Sequence, residues 1–242
     1  MAILSGNTDL LDKAKLEKRI ASLESERKSF GKGRADAEFR LSTITHDIQN
    51  NEAAMERMKA DYEKYSAVVQ RDKDGNPVNN LTVDGCKFKD EQNMGVHLQG
   101  LAQRTDTHGQ YVRVGEVYGF PISIISEHTL IDGREGVQNR FVVEGSYKYK
   151  YNNGFIAMSD THAACMNFVN ALEKIPGIVE QYEERTAKLK ADVPILEGIV
   201  AKQWGKEDEL KQLKSELAAL DRKITAELKP SDAEEACLLY TS

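Results

Sequence analysis

The sequence predicts an α+β protein: a long antiparallel helical hairpin, a coiled-coil-like stalk, with a small, mostly antiparallel β-sheet head that is inserted into it and carries one or two helices. Three observations predict this. Apolar residues recur every 3.5 residues near both ends of the chain, while Gly, Tyr and short alternating runs crowd the middle. Charged residues make up 30% of the 242 residues, above the roughly 25% usual for globular domains, and aromatics only 7%. Long helices with solvated faces account for that excess.

The first element, residues 1–70, follows a heptad. Steps of four and three connect Leu16, Ile20, Leu23, Arg27, Phe30, Arg34, Ala37, Leu41, Ile44, Ile48, Asn51, Met55, Met58, Tyr62, Tyr65 and Val69. All but Arg27, Arg34 and Asn51 are apolar or Tyr, the pattern of a helix buried along one narrow stripe. Asn7-Thr8-Asp9 offers an N-cap. Gly31-Lys32-Gly33 predicts a weak point or kink, since each interior Gly costs about 1 kcal/mol relative to Ala. Arg27 and Arg34 flank it, placed to pair with a Glu on a partner helix or to bind phosphate.

Residues 71–160 form the head. Asp72-Lys73-Asp74-Gly75-Asn76-Pro77 is dense in turn formers, and β-prone runs follow at 80–83, 111–114, 120–126, 139–144 and 146–151. Glu144-Gly145-Ser146 predicts a hairpin between the last two. Residues 90–104 predict a helix, with Met94, Leu98 and Leu101 on one face. Residues 161–230 return as helices: one over 161–174, one from about 178, a bend at Pro194 and Gly205, and a terminal helix over 206–228. Leu189, Val193, Leu196 and Val200, then Leu210, Leu213, Leu217, Leu220 and Ile224, give the matching seam. Neither seam can be buried alone, so a monomeric hairpin is expected over a dimer. Residues 231–242 are read as a disordered or non-native tail.

Composition excludes several classes. No apolar run approaches the roughly 18 residues of a membrane span, and no charged leader precedes an apolar stretch, so no membrane partner is expected. Cys86, Cys165 and Cys237 are far apart and odd in number, which argues against a disulfide framework or a structural zinc site and fits a reducing cytoplasm. The net charge of −6 argues against a basic nucleic-acid glove, though not against a local patch.

Catalytic and cofactor motifs are missing. Asp72-x-Asp74-x-Asn76 opens like a calcium loop, but Pro77 and Val83 stand where a Gly and a bidentate Glu are needed. Gly31-Lys32-Gly33-Arg34 lacks the spacing of a phosphate loop. Asp90-Glu91-Gln92-Asn93 follows Lys87-Phe88-Lys89 where a magnesium-binding acid needs a buried apolar strand, so it reads as a helix N-terminus. The five histidines, His46, His97, His108, His128 and His162, show no paired metal spacing; His162-x-x-Cys165 comes nearest. No cofactor and no self-contained enzyme is expected; a nucleotide pocket at Gly115–Phe120 with Arg113 and Arg140 is the residual enzyme reading. One binding pattern remains. Tyr147, Tyr149 and Tyr151 alternate with Lys148 and Lys150, aromatic surface beside positive charge as in single-strand binders, but on opposite strand faces.

Five runs in order carry a family resemblance: Val114-Gly115-Glu116-Val117-Tyr118-Gly119-Phe120-Pro121, Arg140-Phe141-Val142-Val143-Glu144-Gly145, the segment 149–154, Ile175-Pro176-Gly177-Ile178, and Lys206-Glu207-Asp208-Glu209-Leu210 with Leu220-Asp221-Arg222-Lys223-Ile224. The chain resembles, over residues 4–228, the C-terminal region of very large helicase and N6-adenine DNA methylase proteins of conjugative elements and phages, some of them anti-restriction factors. In that family a Gly-x-Tyr-x-Gly-Phe run in a small sheet and a Glu-Glu-Leu run in a terminal helix recur. Glu116-Val117-Tyr118-Gly119-Phe120 and Glu207-Asp208-Glu209-Leu210 occupy those places. None of the family's helicase or methylase motifs is present, so no catalytic residue carries over. The resemblance implies a fragment, with Met1 an internal methionine, and a non-catalytic accessory module that engages DNA or docks on upstream domains of its parent. The contact residues then expected are Tyr147, Lys148, Tyr149, Lys150, Tyr151, Arg27 and Arg34. The alternative is a stand-alone coiled-coil adaptor that dimerises through the N-terminal seam.

Overall fold

A computed structural model describes residues 2–131 and 134–228, with side chains at 8–129 and 136–227. The expected tail at 231–242, and Cys237 with it, lie outside the described residues. The chain is α+β, as the sequence predicts. Its elements run α1 (Ala2–Ser66), β1 (Leu81–Val83), α2 (Glu91–Arg104), β2 (Val112–Val117), β3 (Phe120–Ile131), β4 (Arg134–Glu144), β5 (Lys148–Tyr149), α3 (Thr161–Glu173), α4 (Ile175–Val200) and α5 (Glu207–Leu228). By packing they fall into two compact units, residues 46–190 and residues 1–45 with 191–242.

The second of these units is a helical pair. Ile20 and Leu23 of α1 are buried with Leu210 of α5, and Trp204, Leu213 and Leu217 pack around them. Ion pairs flank this stripe: Asp9–Lys223 at 2.7 Å, Lys13–Asp221 at 2.6 Å, Glu26–Lys206 at 2.9 Å and Arg27–Glu207 at 3.1 Å. Partner numbers drop from 223 and 221 to 206 and 207 as those on α1 rise from 9 and 13 to 26 and 27, so the two helices are antiparallel. Exposed pairs of this kind contribute about 0.2–1 kcal/mol each. The stripe supplies most of the stability and the charges set the register. Every heptad position from Leu16 to Tyr65 in α1, and Val69 just after it, is buried or half-buried except Arg27 and Arg34.

Three local expectations are corrected. Asn7-Thr8-Asp9 lies inside α1 rather than capping it, and Asp9 serves Lys223 instead. Helical structure runs through Gly31 and Gly33, because a buried stripe on both sides outweighs the roughly 1 kcal/mol propensity cost of each glycine. Pro194 does not interrupt α4, which begins at Ile175 and ends at Val200; the break falls at 201–206, before the acidic first turn of α5. A single proline costs one backbone hydrogen bond, and the half-buried Val193 and buried Leu196 hold the turn around it.

The other unit is built on a five-stranded antiparallel sheet in the sequential order β1-β2-β3-β4-β5. Ile122, Ile124, Phe141, Val143 and Tyr149 pack into one core with Met58 and Tyr65 of α1, Leu98 of α2, Phe168 and Leu172 of α3, and Ile175 of α4. Helix α2 starts where the acidic run predicts, with Asp90 accepting from the Asn93 amide at 2.8 Å. At the β2–β3 turn Tyr118 and Gly119 both have positive φ, +48° and +83°, the type I′ geometry that matches the twist of paired strands. Tyr118 tolerates this because its hydroxyl is held: it donates to the Val78 carbonyl at 2.6 Å and accepts from the Gln70 amide at 3.2 Å. Strands β3 and β4 run longer than expected and β5 shorter, since Asn152 and Asn153, both at positive φ, turn the chain away from the ladder.

Candidate functional site

The segment 147–151 carries the residues expected to meet nucleic acid, and the structure distributes them between two faces. Tyr149 is only 2% exposed and packs in the core. Its hydroxyl donates to Asp61 Oδ2 at 2.8 Å, and burial together with that carboxylate pushes its pKa well above the usual tyrosine value. Tyr147 lies beneath Arg57, 5.4 Å from guanidinium carbon to ring centre, and accepts from Arg57 Nη2 at 3.0 Å. Tyr151 sits under Lys174 at 4.6 Å. The tyrosine face is thus folded against α1 and the α3–α4 junction.

On the opposite face the sheet supplies an aromatic partner that strand alternation within β5 does not reveal. Lys148 places its ammonium 4.4 Å from the ring centre of Tyr111, and Tyr111 is 43% exposed. Lys150, also exposed, lies two residues farther on. Aromatic surface and positive charge therefore meet where Lys148 covers Tyr111, with Tyr111 in the role that sequence alternation assigned to Tyr147, Tyr149 and Tyr151. Glu144 pairs with Lys148 in the β4–β5 register and shares its face, which moderates the local field. In the sequence Tyr111 is legible only as the first residue of the β-prone run 111–114; its exposure and its match to Lys148 need the fold.

Arg27 and Arg34 belong to the other unit. Arg27 pairs with Glu207 at 3.1 Å, the helix-partner role expected of it. Arg34 is exposed. The arginines of the residual nucleotide-pocket reading are both neutralised: Arg113 by Asp84 at 2.9 Å and Glu116 at 3.2 Å, and Arg140 by Glu127 at 2.9 Å.

Asp61 is a residue that the sequence reading missed. It is 2% exposed on the stripe of α1 that carries Met58 and Tyr65, and it binds three donors of the β4–β5 hairpin: the Ser146 amide at 2.6 Å, Ser146 Oγ at 3.2 Å and Tyr149 Oη at 2.8 Å. An acid three residues after Met58 and four before Tyr65 lies on the buried stripe, and that spacing was its available signal. Elsewhere, Asp72 accepts from the amides of Asp74 and Asn76 at 2.9 and 2.8 Å, a closed Asx turn. His162 Nδ1 lies 3.0 Å from Glu91 Oε2, while Cys165 is buried and burial pushes its thiol up to about 12, so without a metal it stays protonated. No described helix is long and apolar enough to cross a membrane.

Residues 66–172 match a family described as a domain of unknown function, DUF8438. That stretch spans the whole sheet, α2 and all but the last residue of α3. No curated protein and no solved structure matches the chain.

Proposed function

We propose that the chain is a non-catalytic, cytoplasmic accessory module of a large DNA helicase/DNA methylase from a mobile element, and that it engages DNA through the patch formed by Tyr111, Lys148 and Lys150. The ordered family-like runs support the parent; Lys148 seated on the exposed Tyr111 ring supports the DNA contact. Bases stack on aromatic faces irrespective of sequence, and the Lys148 ammonium over the Tyr111 ring supplies positive charge for the adjoining phosphate. An anti-restriction role of the parent follows from the same resemblance. Docking on upstream domains is the alternative use of the patch. The adaptor reading is weaker, because parts of the Leu16-to-Val69 seam it would use are filled within the same chain: Ile20 and Leu23 by Leu210, and Met58 and Tyr65 by the core of the sheet unit.

A salt titration of binding to fluorescent single- and double-stranded DNA tests the DNA role. Each phosphate neutralised on a single strand adds about −0.7 to the slope of log K against log salt, so Lys148→Ala/Lys150→Ala is expected to flatten it by about 1.4. Tyr111→Ala should weaken binding by about 1–3 kcal/mol without changing the slope. Absence of binding at low salt, or a slope indifferent to both lysines, refutes the DNA contact. The parent is tested separately by the genomic reading frame: a frame opening at Met1 behind its own ribosome-binding site, with no in-frame helicase upstream, refutes it.

A further inference from the structure

The fold also gathers three side chains that are scattered in sequence. Asp106 and His108 stand in the loop after α2, and His128 stands on β3. Their ligand atoms all lie within 4.8 Å of one another, and all three side chains are exposed. Asp106 Oδ1 is 3.4 Å from His108 Nδ1 and 3.4 Å from His128 Nε2. Both distances exceed the roughly 2.7–3.2 Å of an N–H···O hydrogen bond. They equal the edge of a tetrahedron around an ion whose ligands lie about 2.0–2.1 Å away, which works out to about 3.3–3.4 Å.

The scaffold under these groups is built. Thr107, between two of them, is buried, and it exchanges a reciprocal pair of hydrogen bonds with Ser126: the Thr107 amide donates to Ser126 Oγ and the Ser126 amide to Thr107 Oγ1, each at 2.8 Å. Ser126 Oγ donates in turn to Asn139 Oδ1 at 2.6 Å, and Asn139 Nδ2 donates to the Thr105 carbonyl at 2.7 Å. Strand geometry places residues two apart on one face, so pinning Thr107 to Ser126 brings the loop alongside His128. The loop then folds back sharply. His108 and Gly109 both have positive φ, +51° and +78°, and the His108 amide donates to Asp106 Oδ1 at 2.9 Å. A left-handed histidine costs about 1–3 kcal/mol, and here it is the conformation that returns the imidazole to the carboxylate.

We propose that Asp106, His108 and His128 form a three-ligand site for a divalent transition-metal cation of the Zn2+ type, with the remaining coordination position open to water. Two imidazoles and one carboxylate form a borderline donor set that suits Zn2+, Co2+ or Ni2+ over Mg2+ or Ca2+. The Ser126–Asn139 network holds the loop from beneath, in the manner of the outer-shell contacts that orient metal ligands.

The test is competition of Zn2+ against a chromogenic chelator, using the full chain without a histidine tag, followed by backbone NMR with Zn2+ alone. Wild type is expected to bind one Zn2+ at this site, with shifts confined to residues 105–110 and 126–138. His108→Ala and His128→Ala should each weaken binding at least tenfold, and the double variant should abolish the shifts. Both side chains are largely exposed, 83% and 60%, so the variants should keep the wild-type circular dichroism spectrum. His162→Ala is the control and should leave affinity unchanged. Zn2+ binding that survives in the double variant, or wild-type affinity no better than that variant's, overturns the proposal; an unfolded double variant shifts the decision to the His128→Ala single variant and the location of the NMR shifts.

Discussion

Replacing Asp61 tests whether one buried carboxylate fastens the β4–β5 hairpin to α1. In Asp61→Ala the Tyr149 hydroxyl, in a side chain that is 2% exposed, loses its acceptor. A buried polar group left unpaired costs about 1–3 kcal/mol. Ser146 is exposed, so water replaces most of what its amide and hydroxyl lose, and a further 0.5–1.5 kcal/mol or so is expected from them. The total is about 1.5–4.5 kcal/mol, which corresponds to roughly a 10- to 2,000-fold faster opening-limited exchange of the hairpin amides. Asp61→Asn preserves shape and an acceptor for Tyr149, and should cost about half as much. Hydrogen exchange on the Lys148 and Tyr149 amides reads the local effect, and denaturant unfolding of Asp61→Ala, Tyr149→Phe and the double variant reads the coupling. The pair should couple by about 1–3 kcal/mol. If hairpin exchange in Asp61→Ala stays within about threefold of wild type, or the coupling falls below about 0.5 kcal/mol, Asp61 is not the fastener.

Two further outcomes follow from buried groups and close contacts. Burial, joined by hydrogen bonds to Glu173 and Asp61, raises the Tyr65 and Tyr149 hydroxyls above their ordinary value of 10.0. A raised folded-state pKa leaves stability intact below the unfolded value and removes it as pH climbs, so denaturation midpoints should hold below about pH 10 and fall above it. The pair should cost about 2.7 kcal/mol per pH unit there, and Tyr65→Phe/Tyr149→Phe should flatten the decline. Within α2, two glycines should respond oppositely to Ala. A Cβ at Gly95 would lie 2.4 Å from the Thr161 carbonyl oxygen, backbone that cannot retreat, and Gly95→Ala should lose about 1–3 kcal/mol. At Gly100 it meets only the mobile end of Arg104, at 3.1 Å, and helix propensity should make thermal melting of Gly100→Ala equal to or above wild type, by up to about 1 kcal/mol.

Periodic features of the fold were legible in the sequence. The seams at Leu16–Val69 and Leu189–Ile224 appear because burial along a helix repeats with its pitch, and the strands appear because alternation marks a half-buried sheet. What escaped sequence reading depends on contacts between distant segments. Pro194 reads as a bend and the paired glycines at 31 and 33 as a weak point or kink, yet α4 and α1 continue through them where neighbouring buried residues outweigh their local cost. The Tyr–Lys alternation on β5 showed two faces but not what covers them; Tyr111 answers Lys148 from a segment before β2, and Asp61 answers Tyr149 from α1. His108 and His128, 20 residues apart, have no helical or short-loop spacing that would pair them. Only the Thr107–Ser126 anchor does so.

The β2–β3 turn limits what can replace its first central residue. Asn or Gly at position 118 would relax the left-handed backbone but abandon the Val78 carbonyl and the Gln70 amide; Phe would keep the strain and lose both partners. Of these choices only tyrosine keeps both partners, and it does so with its backbone held left-handed. In this chain the Tyr-Gly-Phe run therefore joins two tasks in one residue: Tyr118 turns the hairpin and ties it to the segment after α1 through Val78 and Gln70.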